Sequence, residues 1–428
     1  MEQADAFWNV TAPAGADGVS LAEDVVCDVA VVGAGFTGLR AALMLAEAGT
    51  KVAVFEAGDV ANGASGRSGG QVNPMLPVYK PDDLRRAVGP KFFETLAETA
   101  LKSADDLFAL VERYQIQCEA RQKGWLRADH CDAARKTSQE NAKLWNALGA
   151  EFEFVGRDEV NQMTGAHGYA SGTVNTRGGA VQPLALTRGL DRVARGAGAR
   201  IYSHSAVTSL TKDGEKWVLS VNGQRVTADK VIVATNGYTG NLVPGLKRSV
   251  LPLTSIQIAT EPLDEDRLGP LCPGGHTISD TRRLIMYCRR EPGNQFIYGG
   301  MGYRTPTGGV GGFDWLLKDA PRIFPSLKGV RWTYRWGGTV ALTPDRVPHF
   351  HEPEPGLITG LGYNGRGVAM SLVMGRELAR RALGTSLSDL PFPEAPIKPY
   401  AFRTPQVLGA GLAMSYLRYL DQKEASYA

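Results

Sequence analysis

The 428-residue chain is poor in the features that mark secreted, membrane-spanning or nucleic-acid-binding proteins. Its five cysteines (Cys27, Cys118, Cys131, Cys272 and Cys288) are scattered, odd in number and form no C-x-x-C pair. That usage fits a reducing compartment and offers no disulfide framework. Net charge is small, +3 from 47 basic and 44 acidic residues, and no Lys/Arg run interleaved with aromatics supplies a nucleic-acid surface. The most membrane-like stretch, Val29 to Ala48, is interrupted by Thr37, Arg40 and Glu47, so no membrane span is expected. The opening residues carry Glu2, Asp5 and Asp17 and lack the basic and apolar regions of a signal peptide, which makes a cytoplasmic location the expectation. His349 and His351 would share a strand face, yet no Cys, Asp or third His completes a ligand set, and no metal is expected.

What is present is concentrated between Asp28 and Glu56. Asp28-Val29-Ala30-Val31-Val32 is a β-branched apolar run that leads into Gly33-Ala34-Gly35-Phe36-Thr37-Gly38 and then into an Ala/Leu-rich segment. The order predicts strand, turn and helix. Gly33 allows the tight turn, Gly35 leaves room for a pyrophosphate at the helix N-terminus, and Gly38 lets the helix lie close on the strand. The helix should reach about Glu47 and stop at Gly49, and a second strand, Val52 to Phe55, should end on Glu56, an acid placed to bind ribose hydroxyls. Glu56 argues against a 2′-phosphate; NAD and FAD both remain compatible with this half-site.

The rest of the chain reads as two interleaved domains. Gly63 to Val72 is a Gly/Ser-rich loop and helix start containing Arg67, suited to a second cofactor contact. Pro81 to Leu148 is helical in pattern, with amphipathic runs at Lys91 to Tyr114 and Asp132 to Leu148. Pro183 to Ala197 is an amphipathic helix, Arg200 to Ser203 a strand continued by Ala206 to Thr208, and Lys216 to Val221 and Gln224 to Val226 are strands joined by Asn222-Gly223, a hairpin signal. Asp229 to Gly237 is a buried strand running into a small-residue turn, expected in the same sheet as the fingerprint. Val250 to Arg335 is rich in strand patterns (Ser255 to Thr260, Leu284 to Arg289, Gln295 to Gly299), which suit an antiparallel sheet in a second domain. Leu357 to Gly360 is a strand, Leu361 to Gly367 a glycine-rich turn and Val368 to Leu383 a helix. From Leu412 to Leu420 the tail is amphipathic and reads as a packed terminal helix.

Taken in order, Phe7-Trp8, the fingerprint ending in Glu56-Ala57, Gly63 to Val72, Ala234-Thr235-Asn236-Gly237-Tyr238 and Gly362-Tyr363-Asn364-Gly365-Arg366-Gly367-Val368 resemble the FAD-dependent D-amino-acid oxidase family nearly end to end, and most its γ-glutamylputrescine oxidase branch. Ser68 stands where that branch usually has Asn, and Asn62 where Gly is common. The resemblance implies a Rossmann-like FAD-binding domain of the glutathione-reductase type (residues 1–76, 175–245 and 345–428), interleaved with a mixed, largely antiparallel substrate domain carrying helices (77–174 and 246–344). It implies that Gly33, Gly35, Phe36, Thr37, Gly38, Glu56 and Ala57 hold the ADP half, with Val207 on the adenine side through its backbone. Arg67, Ser68, Gly69, Gly70 and Gln71 would line the flavin ring, and Ser65, Thr235, Asn236 and Gly237 would also bind the cofactor. Gly362 and the turn Asn364, Gly365, Arg366, Gly367 and Val368 would lie under the flavin pyrimidine, where a helix N-terminus suits a reduced, anionic ring.

The implied reaction takes hydride from the C–H bond of a small-molecule amine to FAD and leaves an imine that water hydrolyses, with O2 or another acceptor reoxidising the flavin. The alternatives are an NAD-linked dehydrogenase, an FAD-binding subunit of a larger complex and a flavin-dependent module acting on tRNA. FAD is expected to be dissociable, since no cysteine falls in the motifs above. The neutral amine must be favoured over the ammonium, because only it has a lone pair to drive hydride departure, and no general base stands out. Tyr287 and Arg289 should share one strand face on the substrate side. Arg289 could pair with a substrate carboxylate or be a salt-bridged strand residue. Trp336, beside Gly337-Gly338, could wall the amine or fill the core.

Overall fold

The β-branched run Val25–Val32 becomes the middle of a parallel layer because it is buried on both faces, as a continuous apolar strand should be. In the computed structural model, which describes residues 6–77, 80–401 and 403–425, this strand pairs in parallel with Val52–Phe55 on one side and Gln224–Val233 on the other. Arg200–Tyr202 and Leu357–Leu361 extend the parallel layer outward, and His349–Glu354 closes one edge antiparallel. The register sets Val32 beside both Val233 and Phe55, and Val233 beside Thr359. Four strands therefore end at one edge, and the segments after them (Gly33, Glu56, Ala234 and Gly362) gather there. This is the crevice outside the carboxyl ends of an open parallel sheet, where such folds place ligands.

Two helices cover one face of this layer. Phe36–Glu47, Ala- and Leu-rich, runs from the fingerprint turn to the predicted end, and Gly367–Ala382 follows the second glycine turn. They pack tightly because Gly375 has no side chain: a Cβ there would stand 2.4 Å from the Thr37 carbonyl oxygen.

A second, nine-stranded sheet runs in the order Trp332–Leu342, Leu251–Thr260, Phe296–Arg304, Tyr287–Arg290, Thr277–Asp280, Trp125–Asp129, Ser171–Asn175 and Phe152–Val155, with Val310–Gly311 attached. All of its pairings are antiparallel except that between Thr277–Asp280 and Trp125–Asp129. Ile256, Ile258, Ile278 and Tyr298 fill one of its faces together with Leu316 and Phe324, a core separate from that of the parallel layer. Among the described residues no helix is long and apolar enough to cross a membrane.

Three local expectations give way to the tertiary structure. Gln224 to Val233 is one continuous strand, pairing antiparallel with Lys216–Val221 at its start and parallel with Val25–Val32 along its length. Charged residues in its middle hid that continuity. Val207–Asp213 does not continue Arg200–Tyr202 but turns off at His204, with φ at 49°, to pair with Lys216–Val221. The region between the two long helices, helical in pattern, contains the strand Trp125–Asp129, which is too short for periodicity to reveal.

Candidate active site

The fingerprint turn is shaped by backbone contact. A Cβ on Gly38 would lie 1.9 Å from the Gly33 carbonyl oxygen, so no side chain can stand there while helix and strand keep this approach. Ser65 Oγ, reaching in from the Gly/Ser loop, accepts the Phe36 N–H at 2.9 Å. Glu56 accepts the Ala34 N–H at 2.8 Å on one carboxylate oxygen and the Gly58 N–H at 3.2 Å on the other. Each oxygen keeps lone pairs for a ribose hydroxyl, and the acid also fixes the turn. The N-cap residue of the helix Phe36–Glu47, Gly35, offers no side chain and Ser65 takes only the Phe36 N–H, so the rest of the first turn still has N–H groups for an anion. The arrangement fits a dinucleotide pyrophosphate. Val207 opens its strand half-buried beside the same layer.

The loop after Gly63 contains one turn of 3₁₀ helix, Ala64–Gly66, and a two-residue strand, Gln71–Val72. It is clamped from outside by tryptophans. Trp8 Nε1 donates to the Ser68 carbonyl at 2.9 Å and Trp336 Nε1 to the Arg67 carbonyl at 3.1 Å, while the two indoles meet edge to face at 5.7 Å. Gln182 in turn donates to the Trp8 carbonyl at 3.0 Å. Arg67 donates to Asn62 at 3.2 Å. The Gln71 amide bonds the Ile278 and Cys288 carbonyls, both at 3.0 Å, so its side chain ties the loop to the second sheet.

Tyr287 and Arg289 do lie on one strand face, against this loop. The Tyr287 ring is 3.1 Å from where a Cβ of Gly69 would be, and Arg289 Nη1 is 2.7 Å from the corresponding point at Gly70. Arg289 is in the salt-bridged arrangement: it is buried, paired through Nε and Nη2 with Glu291, bonded from Nη1 to the Val181 carbonyl at 2.9 Å, and stacked on Trp8 at 4.9 Å. The Tyr287 hydroxyl meets Ser255 Oγ at 2.6 Å and donates to the Ile256 carbonyl at 3.2 Å. Burial pushes its pKa up to about 12, so the phenol stays protonated at neutral pH. Trp336 is in the core, 1% exposed. His349 and His351 are each occupied, by the Asp345 carboxylate and the Ala395 carbonyl.

The second glycine turn is held by side chains. Asn364, with φ at 52°, accepts the Thr343 N–H at 2.9 Å and reaches back to the Gly362 carbonyl. Asn236 Oδ1 accepts the Gly362 N–H at 2.9 Å, joining the Thr235 to Gly237 turn to it, and the buried Thr235 Oγ1 has no partner. Tyr363 reaches the fingerprint helix, its hydroxyl 2.6 Å from Thr37 Oγ1. The helix from Gly367 begins without a side-chain cap, and a Cβ on Gly365 would meet nothing within 4 Å, so a flat polar ring can come close to this backbone. Sequence reasoning did not assign site roles to Trp8, Gln182, Thr343 and Tyr363. Trp8, in the Phe7-Trp8 opening, and Tyr363, inside the second glycine motif, lay in recognised strings; Gln182 and Thr343 carried no signal.

A family model described as FAD dependent oxidoreductase, DAO, matches residues 28–381. The chain belongs to the DAO family. It is 32% identical over 414 residues to the gamma-glutamylputrescine oxidoreductase of Escherichia coli (strain K12), covering 94% of this chain and 95% of that protein. Among solved structures, the glycine oxidase of Geobacillus kaustophilus superposes with a TM-score of 0.72 at 21% identity, over 87% of this chain and 99% of that one. The L-proline dehydrogenase of P. horikoshii gives 0.69 at 20% identity, over 87% and 96%. This DAO-family chain is accordingly an FAD-dependent oxidase or dehydrogenase acting on the CH–NH or CH–NH2 group of amines or amino acids, and the NAD-linked alternative falls away.

Proposed function

We propose that the chain oxidises a primary or secondary amine of the γ-glutamylputrescine kind to an imine, which water hydrolyses to an aldehyde or keto product, and that O2, giving hydrogen peroxide, or another acceptor takes the electrons. FAD, bound without a covalent link, supplies the hydride acceptor. Residues 1–76, 175–245 and 345–428 would carry the cofactor, and 77–174 and 246–344 the substrate. The fingerprint residues from Gly33 to Gly38 with Glu56, Ala57 and Val207 hold the ADP half. Ser65 to Gln71, Thr235 to Gly237, and Gly362 with Asn364 to Val368 surround the ring. Trp336 and Trp8 set the height of the Arg67 to Gly70 backbone and keep water from its outer side, and Tyr287 closes the sheet behind it.

The observation that carries the reading is the convergence at one sheet edge of two helix N-termini whose N-cap residues make no side-chain cap: one fits a pyrophosphate, and the other puts partial positive charge where a flavin gains negative charge. With Tyr287 protonated and no free carboxylate or imidazole among the described residues of these turns, the amine arrives neutral or loses its proton to water. The test is an anaerobic absorbance titration of the yellow holoenzyme with γ-glutamylputrescine, simple diamines and amino acids, followed by admission of oxygen. Bleaching by the γ-glutamyl amine at the lowest concentration is expected. Bleaching by amino acids alone would replace this substrate class, and a failure to recolour in oxygen would make the chain a dehydrogenase.

A further inference from the structure

The two arginines that solvent scarcely reaches among the described residues each have carboxylate partners: Arg289 has Glu291, and Arg282 has Asp280 and Asp319. Arg366 does not. It forms no ion pair among the described residues, its Nη1 is buried without a hydrogen-bond partner, and its guanidinium carbon lies over the Trp125 ring, 4.1 Å from the centroid. The nearest charge acting on it is a second cation, Arg127; burial together with that neighbour pulls the Arg366 pKa down to about 9, which leaves it charged at neutral pH. Arg127 likewise has no ion pair within 4 Å among the described residues; Asp129, two positions along its strand, is taken by Ser138 and Ser171.

The two arginines line one small cavity of about 40 Å³, with Trp125, Trp145, Phe152 and Asn141 on its walls. Such a space holds on the order of three waters, or a carboxylate with one small group beside it. It borders both ring-facing stretches, through Arg366 on the second glycine turn and through Met75 a few residues beyond Gly70. The fingerprint residues and Glu56 are not part of it, so a dinucleotide pyrophosphate is not its occupant. Two half-buried like charges packed against aromatic walls, one with a buried unsatisfied donor and the other balanced only by Asp129 and Asp280 outside ion-pair distance, favour an anion between them. Asn141 Oδ1, also buried and unpartnered, can accept an N–H carried beside that anion.

We propose that Arg127 and Arg366 form the subsite for a carboxylate on the far end of the amine substrate, with Asn141 receiving an adjacent ammonium. The head it selects is that of an α-amino acid, so the enzyme would bind one end of the molecule here while oxidising a C–N bond at the other. This rests on the amine-oxidising reading for the identity of the ligand, and the test separates the two.

Holoenzyme is titrated calorimetrically with glutarate, L-glutamate and inorganic phosphate, and kcat/KM is measured for γ-glutamylputrescine and for its methyl ester. Wild type should bind glutarate and favour the acid over the ester. Arg127→Met, with FAD content unchanged, should weaken glutarate about tenfold to a hundredfold, the range for a lost charge-assisted bond, and bring the acid-to-ester ratio close to one. Arg127→Lys should recover part of both. Asn141→Leu should weaken glutamate more than glutarate. An unchanged ratio and unchanged glutarate binding in Arg127→Met would overturn the subsite, as would phosphate binding in preference to glutarate. If glutarate binds through Arg127 while no amine bleaches the flavin, the subsite stands and the proposed reaction fails. If amines bleach it with equal preference for acid and ester, the reverse holds.

Discussion

The two glycine turns at the edge of the parallel sheet have similar shapes and different construction. Each is a strand, a tight turn and a helix whose N-cap residue makes no side-chain cap, and each leaves backbone N–H groups at the same sheet edge. The first is self-contained: Gly33 and Gly38 meet within six residues, and Glu56 closes the turn from the next strand. The second is assembled from a distance. Asn364 takes its shape from Thr343, 21 residues earlier, and Gly362 is held by Asn236, 126 residues earlier. A turn built by steric exclusion has little tolerance for substitution, whereas one built by hydrogen bonds should weaken by degrees.

Gly38→Ala should break the first turn outright, since its Cβ would fall 1.9 Å from a backbone oxygen. We expect a cost of about 3 kcal/mol or more and a colourless protein, measured by flavin absorbance and thermal unfolding. Retained colour at wild-type stability would mean that helix and strand can separate at no cost.

The strand leading into the second turn makes that turn's support sensitive to acid. His351, paired across the sheet with Thr359, is held by burial at a pKa of about 4 against an ordinary 6.5. Above pH 6.5 it is neutral folded or unfolded and has no effect. Below that the unfolded chain takes up a proton that the folded one refuses, so stability falls until about pH 4, by about 3 kcal/mol in all. Melting temperature should drop across that window in wild type and less steeply in His351→Leu. Equal slopes would show that the imidazole titrates normally.

Asn364→Leu should cost about 2 kcal/mol, leaving the Thr343 N–H unsatisfied and forcing a branched side chain into positive φ. It should loosen FAD without abolishing binding, which a fluorescence titration of released flavin would record. The smallest effect joins the two turns. Thr37→Val removes the hydroxyl facing Tyr363 and should lower stability by about 1 kcal/mol, with FAD still bound. A loss as large as that of Gly38→Ala would mean the turns act as one unit.

The contrast between the turns also explains which parts of the site could be read in advance. The fingerprint, the Gly/Ser loop and the second glycine turn were legible because each is a contiguous string of small residues whose backbone conformation follows from the lack of Cβ atoms. The hairpin at Asn222-Gly223 was legible for the same reason, and both residues have positive φ. Arg289 was visible as either a carboxylate-binding or a salt-bridged strand residue; Glu291, two positions along, takes it, and the Val181 carbonyl that completes its hydrogen bonding comes from 108 residues away. The strand Trp125–Asp129, which brings Arg127 to Arg366, is five residues long with one charge at its centre and another at its end, and no period-2 pattern separates it from the helices around it.

By itself the sequence determined the strand–turn–helix units and the atoms they offer a dinucleotide, because steric exclusion and apolar periodicity act between near neighbours along the chain. Only the tertiary structure decided which polar side chains have partners. Arg289 meets a carboxylate two positions along its own strand, whereas Arg366 meets the cation Arg127 across the fold, and the low dielectric of the interior makes that difference large.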